Sequence, residues 1–364
     1  MMNLLILLIV YVPIIIITAI TPYITRKTES FGVTIPSDMY NDERFRKFRS
    51  SYAKGSSLLG IALLIMLAVL NQFLDEQTWS ISLMIATFAY IILTFFIYFH
   101  FHKKMKALKE TEKWFEKRKQ AVTIDVKFYQ RKTTYSHAWF FIPFMIAALT
   151  LIFTLAFQDK FPDRMPMHYN FSGEVTDWAD KSLGVLLMFP LMQFFLAGLF
   201  LFINYMISRS KQLIDPANPD ESVIQNIIFR RRWSLFNIIS GTILVILFAL
   251  TQLSFVYAID PQVLFLLTML FTGIILIGSI LLTIMTGQGG SRVRLGQTKS
   301  GEVIHRDEDR YWKLGIFYFN PEDPALWVEK RFGSGWTVNL ARPLGWIIIL
   351  GIIAIPLLIA LLSQ

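Results

Sequence analysis

Apolar residues along this chain gather into eight long runs, at Asn3 to Ile20 and then at roughly 58 to 74, 81 to 101, 138 to 157, 183 to 207, 235 to 257, 263 to 285 and 343 to 362. Each is long enough to cross about 30 Å of hydrocarbon as an α-helix, in which a segment satisfies its own backbone hydrogen bonds. The pattern predicts an all-α polytopic membrane protein with about eight transmembrane helices. The first run lacks a basic segment before it and is followed by Arg26 and Lys27 rather than a small-residue cleavage site, so it reads as an uncleaved span. The predicted order is a first helix in 1–24, a loop at 25–57, a helical hairpin at 58–101 and a basic loop at 102–137. A second hairpin follows at 138–207, carrying the polar loop 158–182, then a loop at 208–234, a third hairpin at 235–285, a β-rich segment at 286–342 and a last helix in 343–364.

The polar segments have patterns of their own. Phe31 to Pro36 is followed by Asn41-Asp42-Glu43, a helix start with acidic residues in its first turn, and Phe45, Phe48 and Tyr52 then share a face among Arg44, Arg46, Lys47 and Arg49. That predicts a short helix lying on the membrane surface, with a solvated connector as the alternative. Lys103 to Lys119 is a basic helical stretch, after which Val122, Ile124, Val126 and Phe128 alternate with polar residues as a half-buried strand would. Asn218, Pro219 and Glu221 begin a further helix, and Arg230-Arg231-Arg232-Trp233 at its far end suits an interfacial anchor. Gly287-Gln288-Gly289-Gly290 suggests a flexible hinge. Beyond it, Tyr311 to Phe319, Leu326 to Phe332 and Trp336 to Leu340 are β-rich runs bounded by Gly, Pro and Asn, expected to form a small meander. Because a lone strand is unstable, the 122–129 strand is expected to join it in a small cytosolic β-element.

Charge then orients the spans. Of 35 Lys and Arg residues, the loops at 25–57, 102–137, 208–234 and 286–342 carry 7, 11, 5 and 9, whereas 158–182 carries 3 and the other two connections none. Basic residues near span ends are retained on the cytoplasmic side, so both termini and the 158–182 loop are expected outside. The excess of basic over acidic residues, 35 against 26, is therefore a topology signal that suits anionic membrane lipid, and no direct nucleic-acid binding is expected. Cysteine is absent, which removes disulfides, thiolate metal sites and cysteine nucleophiles.

Candidate chemistry concentrates in Phe161 to Ser182. Pro162 and Pro166 fix φ and remove backbone donors, so the approach to Met167-His168-Tyr169-Asn170 should be extended and stiff, and Asn170 to Gly173 suits a turn. His168 with Glu174, Asp177 and Asp180 offers imidazole and carboxylate groups, yet without a diagnostic ligand spacing, so no metal and no cofactor is expected. His168 and Asn170 either hydrogen-bond the loop's own backbone or contact a peptide or lipid ligand.

The pattern Pro166-x-His168-x-Asn170-x-x-Gly173-x-x-x-Asp177, closing on Lys181-Ser182 ahead of a span, resembles the extracytoplasmic signature of bacterial SdpI-type membrane proteins. These include an immunity protein that protects cells from a secreted toxin and, on sensing it, holds a repressor at the membrane. The resemblance implies a bacterial plasma-membrane location and outer-loop functional residues Pro166, His168, Asn170, Gly173, Glu174, Asp177 and Lys181. The run from Asn320 to Asn339 also resembles a short domain of unknown function appended to such proteins, and Trp312, Asn320, Asp323, Lys330, Arg331, Trp336 and Asn339 are the expected contacts for a cytosolic protein partner such as a repressor.

No metalloprotease helix, nucleophile elbow or intramembrane carboxylate pair occurs, so no enzyme is expected. The middles of the spans carry no charge, which disfavours an ion-coupled transporter. Gln193, Asn204, Asn237, Thr251 and Gln252 are expected to hydrogen-bond between helices. The leading expectation is a protein that senses, or confers resistance to, an extracellular agent such as a toxic peptide. A transporter or lipid-handling carrier and a structural subunit of a membrane complex are the alternatives.

Overall fold

The computed structural model describes residues 5–115, 128, 131–169, 175–215, 218–257, 259–295 and 308–361. Eight helices in it are long and apolar enough to cross a membrane: α1 (Leu7–Ile24), α2 (Glu43–Leu70), α3 (Glu76–Glu112), α4 (Phe141–Ala156, continuing the 3-10 turn His137–Phe140), α5 (Leu183–Arg209), α6 (Pro219–Ser254), α7 (Pro261–Thr286) and α8 (Pro343–Leu361). Local chemistry marks their starts. Asp42 accepts from the Arg44 amide at 2.8 Å, Asp75 from Thr78 at 2.9 Å and Ser182 from Val185 at 3.2 Å, while Pro219 and Pro261 occupy the first helical position, where no amide donor is needed.

The helices form two groups of three. In the first, α1, α2 and α3 enclose Leu7, Tyr11, Ile15, Leu67, Trp79 and Tyr90, and the Trp79 indole donates to the Leu67 carbonyl at 3.0 Å. The second, α4, α5 and α6, is tied by polar side chains at successive depths. Ser234 donates to Asn204 at 2.6 Å, Asn237 to the Phe200 carbonyl at 2.8 Å, Gln193 to the Val245 carbonyl at 2.9 Å and Gln252 to Thr154 at 2.9 Å. These bear out interhelical bonding for Gln193, Asn204, Asn237 and Gln252. In an apolar medium such bonds hold helices together where hydrophobic burial cannot, each contributing roughly 0.5–2 kcal/mol. The Thr251 hydroxyl instead bonds back to Leu247 within its own helix. Helix α7 packs on both α1 and α6, bridging the groups, and α8 packs on α5. Large apolar side chains such as Phe73, Phe141 and Ile347 cover the outside, as an apolar solvent requires.

Among the described residues four antiparallel strand pairs accompany the helices: β1 (Glu29–Ser30) with β2 (Val33–Thr34), β3 (Arg164–Tyr169) with β4 (Val175–Asp180), β5 (Trp312–Lys313) with β6 (Phe317–Tyr318), and β7 (Trp327–Glu329) with β8 (Trp336–Val338). Pair β3–β4 lies at one end of the bundle and the other three gather at the opposite end. The β1–β2 turn places Phe31 at φ 47° and Gly32 at φ 73°, a two-residue reversal that matches strand twist but forces a bulky side chain into the left-handed region. Packing compensates: Phe31 is buried against Tyr52, Tyr98, Phe101 and Phe332. Leu314 and Gly315 repeat the conformation in the β5–β6 turn, and the Tyr98 hydroxyl of α3 bridges both tips, 3.2 Å from the Phe31 carbonyl and 3.0 Å from that of Leu314.

Several sequence expectations are corrected here. The short surface helix is instead the first part of α2, continuous from Glu43 to Leu70, because no proline interrupts it and Phe45 and Tyr52 bury against α3. The basic stretch after 102 likewise prolongs α3 to Glu112 and ends in a turn at 113–115, while 116–119 and the 122–129 strand apart from Phe128 lie outside the described residues. The meander is two separate hairpins, joined by Asn339, whose amide group donates to the Asn320, Asp323 and Ala325 carbonyls. The hinge at Gly287 to Gly290 is a packed turn. Gln288, Gly289 and Gly290 are buried, and a Cβ on Gly290 would collide with the Gln225 carbonyl.

Candidate functional site

Two clusters of side chains stand out, one at each end. The β3–β4 hairpin is seated by Phe161 and Met165, which bury against Val185 and Leu186 of α5, with Phe153 and Phe255 from α4 and beyond α6 packed alongside. Lys181 closes its base: its amide donates to the Asp163 carbonyl at 2.7 Å and its ammonium to the Phe161 carbonyl at 3.0 Å. Pro166 pairs with Trp178 across the strands and His168 with Asp177, with a register irregularity on either side of His168. Asp177 accepts from the Trp178 amide at 2.9 Å and is exposed, as are Thr176 and Trp178. The extended approach expected from Pro162 and Pro166 is therefore a strand, whereas Asn170, Gly173 and Glu174 lie outside the described residues.

At the opposite end, residues 308–342 form a clamp on the helix termini. Glu329 is its centre. One carboxylate oxygen pairs with Arg26, just beyond α1, and the other accepts from Asn226 of α6 at 2.7 Å and lies 3.5 Å from Arg230. Arg230, fully buried, donates to Asn226 at 2.6 Å, to the Ile207 carbonyl at 2.8 Å and to the Ser210 and Lys211 carbonyls at 3.1 Å. It is thus a structural bolt between α5, α6 and β7, so Arg230 is not free to serve in the interfacial anchor expected of Arg230 to Trp233, whereas Arg231 and Arg232 are exposed.

A second node is Asp309, which accepts from the Thr34 hydroxyl at 2.7 Å, from Lys109 of α3 at 2.6 Å and from Arg331. Arg331 lies 3.9 Å from Glu29, whose other oxygen is buried with no hydrogen-bond partner among the described residues. Burial, only partly opposed by Arg331 and Arg26, pushes the Glu29 carboxyl up to about 7. For Asp309 burial also pulls upward, but Arg331 and Lys109 outweigh it and hold the carboxyl below its ordinary value. The third node, Asp323, accepts from Lys211 at 2.6 Å and from the Tyr318 hydroxyl at 2.7 Å, while Arg342 at the start of α8 donates to its carbonyl. Hydrogen bonds from Lys211 and Tyr318 outweigh burial and depress this carboxyl too.

Of the residues expected to meet a cytosolic partner, Asn320, Asp323, Arg331 and Asn339 are buried and bonded within the clamp, Trp312 packs under the Arg331 guanidinium at 5.1 Å, and Trp336 packs on Phe229 of α6 at 5.1 Å. Lys330 is exposed. Sequence reading missed Arg26, Glu29, Asn226 and Glu329. The available signal was weak: acidic residues scattered through the most basic loops, with nothing to say which cation each would meet. The assembled chemistry is cohesive, since each carboxylate at a node faces cations or donors from a different helix.

Two family models match parts of the chain. Residues 145–194, from within α4 across the hairpin into α5, match a domain of unknown function (DUF1648), and residues 321–346, from the β6–β7 connection to the start of α8, match a family of unknown function (DUF5808). No curated protein and no solved structure matches the chain significantly. The hairpin lies within one matched segment and Asp323, Glu329 and Arg331 of the clamp within the other, and the eight apolar helices mark an integral membrane protein.

Proposed function

We propose that this is a bacterial plasma-membrane protein whose β3–β4 hairpin, on the outer side, engages an extracellular agent such as a toxic peptide, and whose clamp at the inner side answers to a cytosolic partner. The observation that carries the reading is mechanical. The hairpin is seated on the same α4–α6 group whose opposite ends are bolted to the clamp through Arg230 and Lys211. Displacement of the hairpin would therefore load the buried ion network directly, without a mobile loop between. The exposed Thr176, Asp177 and Trp178 supply a recognition edge with a hydroxyl, a carboxylate and an indole. A solute carrier draws less support, because polar side chains of α4–α6 are spent on bonds to the backbone or side chains of neighbouring helices across the bundle.

The test is removal of the gene from the organism that carries it, followed by challenge with membrane-active peptides. Heightened sensitivity, or a lost transcriptional response, is the expected result, restored by the intact gene but not by a copy with Trp178→Ala. Unchanged sensitivity and unchanged transcription would remove the resistance and signalling versions together.

A further inference from the structure

Between the end of α1, the connection before α2 and the first turns of α2 lies an open cleft of about 640 Å³, lined by Tyr23, Tyr40, Asn41, Glu43, Arg46, Lys47, Arg49 and Ser50. Its charge is unbalanced. The lining holds one carboxylate, Glu43, already paired with Lys47 at 2.8 Å, against three cations. Arg49 is the unusual member: it is 3% exposed, no carboxylate pairs with it among the described residues, and its guanidinium lies 4.2 Å over the Tyr40 ring. One terminal nitrogen, Nη2, donates to the Tyr40 carbonyl at 2.8 Å, while Nη1 is buried without a hydrogen-bond partner among the described residues.

A desolvated guanidinium with an idle N–H edge is costly, and such edges are ordinarily matched to an acceptor. What would satisfy this one is an oxyanion. Arg46, exposed one turn along the same helix start, adds a second positive charge, and Tyr23, Asn41 and Ser50 add neutral donors around it. Two guanidinium groups with hydroxyl and amide donors form the arrangement that recognises phosphate oxygens. Its position suits a lipid: Tyr23, at the end of the apolar α1, lines it, and α2 carries its last charge at Lys54 before its apolar run from Leu58, so the cleft lies beside the ends of two spans.

We propose that this cleft binds one anionic phosphate group, held chiefly by Arg49 and Arg46. The assignment is independent of the hairpin and of any signalling role.

The test uses the full chain, purified in detergent, stripped of lipid and examined by native mass spectrometry after addition of phosphatidylglycerol, phosphatidylcholine or inorganic phosphate. One phosphatidylglycerol per chain should persist at activation energies that strip phosphatidylcholine. Arg46→Gln, at an exposed position that leaves the fold intact, and Arg49→Lys, which keeps the charge but loses the fork, should each lower occupancy about tenfold, the loss of one charged hydrogen bond. Displacement of the lipid by inorganic phosphate would identify a site that also takes soluble phosphate; failure to displace it would identify a lipid headgroup site. Equal retention by the wild type and both variants, or no preference for phosphatidylglycerol together with no phosphate binding, would overturn the proposal.

Discussion

Arg230 of α6 and Glu329 of β7 face each other at 3.5 Å with side chains 0% and 1% exposed, and each also bonds Asn226. Buried ion pairs of this kind contribute little over an apolar substitute, but removing one partner leaves the other charged and desolvated. Glu329→Gln should therefore destabilise the folded protein by about 3–5 kcal/mol, since Arg230 and Arg26 would both lose their counter-charge. Thermal unfolding in detergent measures this, and a midpoint within a degree or two of wild type would show that the clamp does not hold the helices.

Glu29 makes stability depend on pH with a definite sign. Its carboxyl rises from an ordinary 4.5 to about 7 in the folded state, so between those values the folded protein binds a proton that the unfolded chain has released. Stability should then fall as pH rises from about 5 to about 7.5, by roughly 3 kcal/mol at most, and be lowest above that window. Asp309 and Asp323 are depressed and titrate below it. Comparing unfolding of wild type and Glu29→Gln across pH 5 to 8 isolates the effect: the variant should lose the downward slope, and parallel curves would refute the assignment.

The turn after α7 should tolerate no side chain at Gly290. Gly290 has φ +85° and its Cβ position is filled by the Gln225 carbonyl, so Gly290→Ala should cost more than about 2 kcal/mol through strain and displacement together. Gly198, with nothing within 4 Å of its Cβ position inside α5, is the internal control. Gly198→Ala should be neutral or stabilising by up to about 1 kcal/mol. Opposite signs for the two in one unfolding assay are the expected outcome.

Seating of the hairpin rests on Phe161. Truncation to alanine should cost about 3 kcal/mol, and the loss should appear first as faster amide exchange in β3 and β4. Uniformly faster exchange across α4–α6, with the hairpin no worse than the rest, would mean that Phe161 supports the bundle rather than the hairpin.

Orientation is testable with single cysteines, because the chain has none of its own. Thr176 on β4 and Lys313 on β5 are exposed at opposite ends. Thr176→Cys should react with an impermeant thiol reagent in intact cells and Lys313→Cys only after lysis. Labelling of both in the same compartment would undo the assignment of faces.

Much of this architecture was legible in the residue order, and the reason is local. A span announces itself by hydropathy because a helix in lipid must satisfy its backbone within itself, and its caps, Asp42, Asp75, Ser182, Pro219 and Pro261, act over three or four residues. The stiff approach to His168 was readable for the same reason, since proline fixes φ wherever it stands. What only the tertiary structure decided is which charges meet. Arg26 finds Glu329 across 303 positions and Thr34 finds Asp309 across 275, so runs that look like solvated or interfacial basic residues include the buried bolts of the clamp. Periodicity records which face of a segment turns from solvent, whereas the partner across a packed contact depends on how helices and hairpins from distant parts of the chain come together. Arg230 and its exposed neighbour Arg231 are the same residue type in the same helix turn, and only their surroundings separate them.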